Sequence, residues 1–359
     1  MTNTASAEIS LSALRHNLSI ARQSAPNSQC MAVIKADAYG HGILNVASTL
    51  EQADAFAVAR LEEASALRQA GITKRIVILE GVQTSEELDD VCAHKLDIVI
   101  HHDTQLKVLL DTALNEPVSV WIKLDTGMHR LGFQTEQFSD VVQSLQSCHW
   151  VKQPLHVMTH FACADDINDA YTEQQITTFK QATNDFSLPT SMANSAATLS
   201  KQESHADWIR PGIMLYGSCP FINGNANDLQ LKPVMTLRSK LIAINNFQMG
   251  DHIGYGATYT CDKDKPVGVV AIGYGDGYPR HATTGTPVWV NGKRCALLGR
   301  VSMDMISVDL SPCPEVKVGE DVELWGENIS VDEVARYAGT IAYELLCGVT
   351  QRVTKIYKD

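Results

Sequence analysis

Residues 31–42 read Met31-Ala32-Val33-Ile34-Lys35-Ala36-Asp37-Ala38-Tyr39-Gly40-His41-Gly42. Four apolar residues run straight into a lysine, and small, turn-prone residues follow. An apolar run that stops this sharply reads as a buried strand of a parallel sheet. Lys35 then stands where the strand gives way to its loop, the end of the strands at which β/α proteins build their sites. A lysine amine partly withdrawn from water at that point is a good nucleophile. The plainer alternative is a rim lysine whose stem packs on apolar surface while its ammonium reaches water.

Runs of the same kind recur at 55–58 (AFAV), 76–79 (IVIL), 97–100 (DIVI), 118–122 (VSVWI) and 155–159 (LHVMT). Two weaker ones stand at about 190–193 (TSMA) and 207–209 (DWI). Amphipathic stretches such as Leu61–Gln69, stopped by Gly71, and Ser85–Ala93 lie between them, and leucines at helical spacing over 10–18 place a helix before the first run. Eight strands alternating with helices make an α/β chain whose N-terminal part is a (β/α)8 barrel. An open doubly wound sheet would show the same alternation.

The residue that ends each run is informative. Lys35 follows the first, Lys123 the fifth (WIKLDTGMHRLGF), His160 the sixth (MTHFACAD), Asn194 and Ser195 the seventh (MANSAA), and Arg210 the eighth (WIRPGIMLYG). In a barrel all of these share the C-terminal rim. The loops after the last two strands, with Ser195, Gly212 and Ile213, offer a hydroxyl and unhindered N–H groups suited to a phosphate.

From about Leu229 the pattern becomes antiparallel. Leu237–Leu241 alternates, Asn291-Gly292 is a hairpin turn, strands are expected at 305–310 and 321–325, and Ser330 to Glu333 is a capping box with Gly339 as stop. The expected organisation is residues 1–225 as barrel, the first few residues being candidates to pair with the second domain, and 226–359 as a mainly antiparallel β domain. This last third holds Tyr255 in GYGATY, Tyr274 and Arg280 in GYGDGYPR, Arg300, Met303 and Asp304 in GRVSMDM, and Ile341 and Tyr343 in IAYELLCG.

The chain has 359 residues, 45% hydrophobic and 19% charged, with net charge −12. That balance belongs to a globular protein and lacks the basic footprint of a nucleic-acid binder. Nine scattered cysteines without a C-x-x-C pair suit reduced thiols. MTNTASAEIS is no secretory signal, and no apolar run reaches the roughly 18 residues of a membrane span. A cytoplasmic protein is therefore expected. His156 and His160 have H-x-x-x-H spacing but sit on a strand with no glutamate between them, so no metal is expected.

Taken together, MAVIKADAYGHG, LDTGMHRLGF, THFA, GYGATY, GYGDG and GRVSMDM resemble, in order and over nearly the whole chain, the alanine racemase family. The resemblance implies a pyridoxal 5'-phosphate barrel with a C-terminal β domain. It also implies a head-to-tail homodimer with shared active sites, and interconversion of L- and D-alanine by two bases. Carried over residue by residue, Lys35 would carry the cofactor and Tyr255 of the other chain would be the opposing base. Tyr39, Ser195, Gly212, Ile213 and Tyr343 would hold the phosphate. Arg210 would face the pyridine nitrogen, and His160 would bridge Tyr255 and Arg210 as part of a positive network. Arg130 and the N–H of Met303 would bind the substrate carboxylate. Tyr274, Arg280, Arg300, Asp304 and Ile341 would line the access channel. Lys123 resembles a family lysine that is often carbamylated. A racemase acting on serine or basic amino acids, and a decarboxylase of the same architecture, are the competing readings.

Overall fold

In the computed structural model, which describes residues 5–359, eight short strands close into a parallel barrel. They are β2 (Gln29–Val33), β3 (Ala55–Val58), β4 (Arg75–Ile78), β5 (Asp97–Ile100), β6 (Val118–Lys123), β7 (Val151–Met158), β8 (Thr190–Ser191) and β9 (Trp208–Ile209), preceded by β1 (Ser6–Ser10). The barrel closes where Gln29 and Cys30 of β2 meet Trp208 and Ile209 of β9, which excludes the open sheet. The last two strands are shorter than their apolar runs because side chains take over from the ladder. Ser191 Oγ donates to the Trp208 carbonyl (2.7 Å) and accepts from Arg210 (2.6 Å).

The floor of the barrel is polar. Arg75, the first residue of β4, lies between the rings of Trp121 and Trp208, 5.3 and 5.4 Å from their centroids. It donates to Asp97, the first residue of β5, which also accepts from the Trp121 indole (3.0 Å). Burial raises the Asp97 pKa, and Arg75 opposes that shift. His156 stacks on Trp121 at 4.3 Å with Nε2 3.3 Å from Arg75, so this histidine fills the floor. No three His, Cys, Asp or Glu side chains gather as a metal-ligand set among the described residues. Trp121 is fully buried. Trp121→Ala should cost about 3–5 kcal/mol of unfolding free energy, as for other buried tryptophans, measurable as a lower urea midpoint.

The remaining strands are β10 (Met235–Phe247), β11 (His252–Ile253), β12 (Tyr259–Thr260), β13 (Lys265–Val270), β14 (Pro287–Val290), β15 (Lys293–Leu298), β16 (Ile306–Asp309), β17 (Asp321–Trp325) and β18 (Thr354–Lys358). Eight strands form a sheet in the order β13-β16-β15-β14-β17-β10-β1-β18, with β13 also paired to β10. Every pairing in it is antiparallel except β1 with β18. From Ser6 the chain thus runs first in the sheet of its own C-terminal domain and then enters the barrel; residues 1–4 lie outside the described residues. The helix Leu11–Ser24, longer than its leucine spacing implied, leads from one to the other, with Ser10 Oγ accepting from Ala13 N (3.2 Å). Buried Asn17 on this helix pairs with the Leu215 and Lys232 backbone. Further on, the Asp332 carboxylate accepts from Ser218 Oγ and Cys219 N at the barrel's edge. No helix among the described residues is long and apolar enough to cross a membrane.

Candidate active site

At the C-terminal mouth of the barrel lies a cavity of about 530 Å³, a size that suits a small cofactor with its substrate. Lys35 enters it from the end of β2, half-buried, its ammonium making no hydrogen bond among the described residues. The backbone after Lys35 is unusual. Ala36, Asp37, Ala38 and Tyr39 have φ of 54°, 53°, 54° and 51°, one left-handed turn built without glycine. Each such residue costs roughly 1–2 kcal/mol, so the surroundings must impose the turn. Glu63 and Asp37 accept from backbone N–H groups within it and beside it, and Lys355 of β18 pairs with Asp37.

The turn delivers Tyr39 to the cavity wall, stacked on Tyr216 at 4.7 Å and 5.8 Å from the ring of Tyr343, which comes from the helix Ala342–Gly348. Burial raises the pKa of both Tyr39 and Tyr343, so both phenols are neutral hydrogen-bond donors. Facing them, Ser195 Oγ accepts from Gly212 N at 2.8 Å, which leaves its own proton free to point into the cavity. Ile213 opens a short 3-10 turn, and its N–H has no partner within it. A Cβ on Gly212 would stand 2.7 Å from the Tyr39 hydroxyl, so the space between these donors exists because residue 212 has no side chain.

Cations dominate the other wall. Arg210, at the end of β9, is buried and fixed by Ser191 Oγ (2.6 Å) and by the carbonyls of Thr159 and Met192. Burial lowers its pKa to about 10, which still leaves it charged at neutral pH. Arg130 reaches the cavity from the loop after β6. That loop is cinched by Asp125, which accepts from Gly127 N and His129 N at 3.0 Å, and by Phe133 N donating to the Lys123 carbonyl (2.9 Å). Lys123 is pulled down to about 8 by burial, then by Arg210, Arg130 and Lys35. His160 is driven well below its usual range by burial and the same cations. Its imidazole is therefore neutral, and the positive charge expected of a His160–Arg210 network belongs to Arg210.

The cavity thus unites Lys35, Tyr39, Lys123, Arg130, His160, Ser195, Arg210, Gly212, Ile213 and Tyr343. It does not include Tyr255, Tyr274, Arg280, Arg300, Met303, Asp304 or Ile341 of the same chain. Those seven are exposed on the β domain, Tyr255 at 68%, Met303 at 53% and Ile341 at 60%. Their segments nonetheless share one surface. Tyr274 N and Gly275 N donate to the carbonyls of Ser302 and Met303, Asp304 pairs with Arg352, and Gly254 and Gly256 approach Arg300. Sequence reading placed Asn194 on the rim, where it lines the cavity, but missed Glu80, Thr159 and Cys347. Glu80 follows the run 76–79, so the strand-end rule applied to every strand would have found it. Cys347 carries no local signal.

The family model described as alanine racemase, N-terminal domain, matches residues 9–220, and that described as alanine racemase, C-terminal domain, matches 234–357. The alanine racemase of Shewanella woodyi is 51% identical over 347 residues, 97% of each chain. That of Nitrosococcus oceani is 52% identical over 353 residues, 98% of this chain and 99% of the other. Among solved structures, the biosynthetic alanine racemase from Pseudomonas aeruginosa superposes with a TM-score of 0.97 at 46% identity and covers 100% of both chains. Alanine racemase from Acinetobacter baumannii gives 0.94 at 38%, covering 99% of this chain and 100% of its own.

Proposed function

The chain belongs to the alanine racemase family, isomerases that interconvert L- and D-alanine, and from that premise we propose how its own residues carry the reaction. Pyridoxal 5'-phosphate is the cofactor that the cavity fits. The gap kept open by Gly212, ringed by Ser195, Ile213, Tyr39 and Tyr343, is a cradle of neutral donors for a phosphate. Lys35 would hold the cofactor covalently, and Arg210, which keeps its proton, would face the ring nitrogen and hold it unprotonated. When bound, the cofactor draws into its ring the charge left on the substrate Cα as its proton departs.

Inversion at Cα needs a proton removed from one face and another delivered to the opposite face. A group that does this must lie within about 3 Å of the proton, so one group cannot serve both sides. The Lys35 amine serves the face of the D-isomer's proton. Tyr255 of a second copy serves that of the L-isomer. Tyr255 lies outside its own chain's cavity, on an exposed face with Met303 and Arg300, and that arrangement supports a homodimer in which each chain completes the other's site. A phenol is a weak base near neutrality. Neutral His160 would link it to Arg210. Arg130 and the Met303 N–H would grip the substrate carboxylate, and Tyr274, Arg280, Arg300, Asp304 and Ile341 would border the access channel. The product suits a cytoplasmic supply of D-alanine for peptidoglycan, or alanine catabolism.

One observation carries this reading: Lys35 stands with Arg130, Arg210 and the Gly212 cradle in a single cavity. A chiral assay of the purified protein against a panel of L-amino acids tests it. Alanine should approach equal amounts of both isomers. Another amino acid inverting while alanine stays optically pure would overturn the substrate assignment.

Lys123 adds a second expectation. With its pKa near 8, a large share of the amine is neutral in mildly alkaline buffer and can attack carbon dioxide, releasing a proton and leaving a carbamate. This turns a cation into an anion able to orient Arg130. Carbon-13 bicarbonate should produce one carbamate resonance at pH about 8.5 that fades near pH 6 as the amine protonates. The resonance should be missing from Lys123→Gln. Its absence from the wild-type protein would leave Lys123 a plain cation.

A further inference from the structure

We propose that Glu63, outside the cavity lining, is a positioning residue that holds the left-handed turn after Lys35 and so sets where the Lys35 amine and the Tyr39 hydroxyl stand. The inference rests on the reading of Lys35 as cofactor lysine and base. Glu63 sits in the first turn of the helix Leu61–Gln69, in the β/α unit next to that of Lys35. Its carboxylate serves two loops at once. One oxygen accepts from Ala59 N at 2.8 Å and Arg60 N at 3.3 Å, capping its own helix. The other accepts from Ala36 N at 2.6 Å, the amide directly after Lys35.

The turn is braced at its other end too. Asp37 accepts from Ile43 N at 2.8 Å and pairs with Lys355 of β18. A Cβ on Gly40 would stand 2.1 Å from the Leu346 carbonyl oxygen, and one on Gly42 would stand 2.0 Å from the Tyr357 hydroxyl, so the chain cannot shift sideways. Four non-glycine residues in left-handed conformation persist only when their surroundings over-determine them. Glu63 is the brace nearest the reacting amine, and a carboxylate is the group the place requires. Both of its oxygens face N–H donors. A glutamine would turn its NH₂ toward one of them, and the two-donor helix cap would keep the oxygen. An aspartate is one methylene too short to span both loops.

Glu63→Gln and Glu63→Asp should therefore keep the helix cap and release Ala36 N–H, whereas Glu63→Ala loses both. Hydrogen exchange of the cofactor-free protein should show amides 36–40 of the Gln variant exchanging about five to ten times faster than in wild type, as for one lost hydrogen bond. Amides 61–69 should be unchanged. In the loaded enzyme, kcat should fall about 10–100-fold through misplacement of the amine. KM for alanine should stay within about twofold, because Arg130 is untouched. Wild-type exchange over 36–40 together with wild-type kcat in Glu63→Gln would overturn the proposal, and so would a rise in KM as large as the fall in kcat. Full activity in Lys35→Ala would instead overturn the reading beneath it, so the two failures are separable.

Discussion

Lys35→Ala should leave a folded protein with racemase activity reduced at least about 10⁴-fold, because in the proposed mechanism it removes both the covalent hold on the cofactor and the proton carrier on one face. The fold should survive. Lys35 is only half-buried, its ammonium makes no hydrogen bond among the described residues, and the turn after it is braced through backbone amides. The proposed phosphate cradle of Gly212, Ser195, Tyr39 and Tyr343 does not depend on it. The variant should thus still bind pyridoxal phosphate, but reversibly. Borohydride should fix the cofactor to wild-type protein and leave the variant free of label after denaturation. Added methylamine, a small substitute for the missing amine, should restore a small part of the activity. Label remaining on the variant would show that another lysine carries the cofactor, with Lys123 the first to test.

Tyr255→Phe should lower racemisation about 10²–10⁴-fold, the usual worth of a proton-transfer group, with little effect on stability, since the ring is 68% exposed in the single chain. Rates of racemisation cannot show which face Tyr255 serves. The two isomers of alanine have equal free energy, so kcat/KM must be the same in both directions in any variant. Exchange of the α-proton with deuterated water can show it. Tyr255→Phe should still exchange the proton of D-alanine, through Lys35, without inverting it, and should leave L-alanine unexchanged. The opposite pattern would exchange the roles of the two residues. The same variant tests whether sites are shared. Lys35→Ala and Tyr255→Phe, each inactive alone, should regain about a quarter of wild-type activity when mixed and allowed to exchange subunits, because half of the dimers then hold one intact site. No recovery despite demonstrated exchange would place both bases in one chain.

The barrel and most of its rim were legible in the sequence because they rest on local rules. A buried parallel strand is a short apolar run whatever surrounds it, and the residue that ends it lies at one end of the barrel by topology alone. That logic located Lys35, Lys123, His160, Ser195 and Arg210, even where β8 and β9 proved two residues long. The hairpin at Asn291-Gly292 and the cap at Ser330 are local signals too, and both stand in the structure.

Only the tertiary structure decided the rest, because it depends on contacts between residues far apart in the chain. The left-handed turn at Ala36–Tyr39 contradicts the local preference of its residues, and Glu63, Asp37 and Lys355 impose it across 27, 6 and 318 positions of chain. The pairing of β1 with β10 and β18, and the stacking of His156 on Trp121, likewise leave no periodicity to find. Protonation is collective in the same way. His160 is neutral and Lys123 titrates near 8 because burial strips both of water and because Arg210, Arg130 and Lys35 share the same space, and no sequence window contains that convergence.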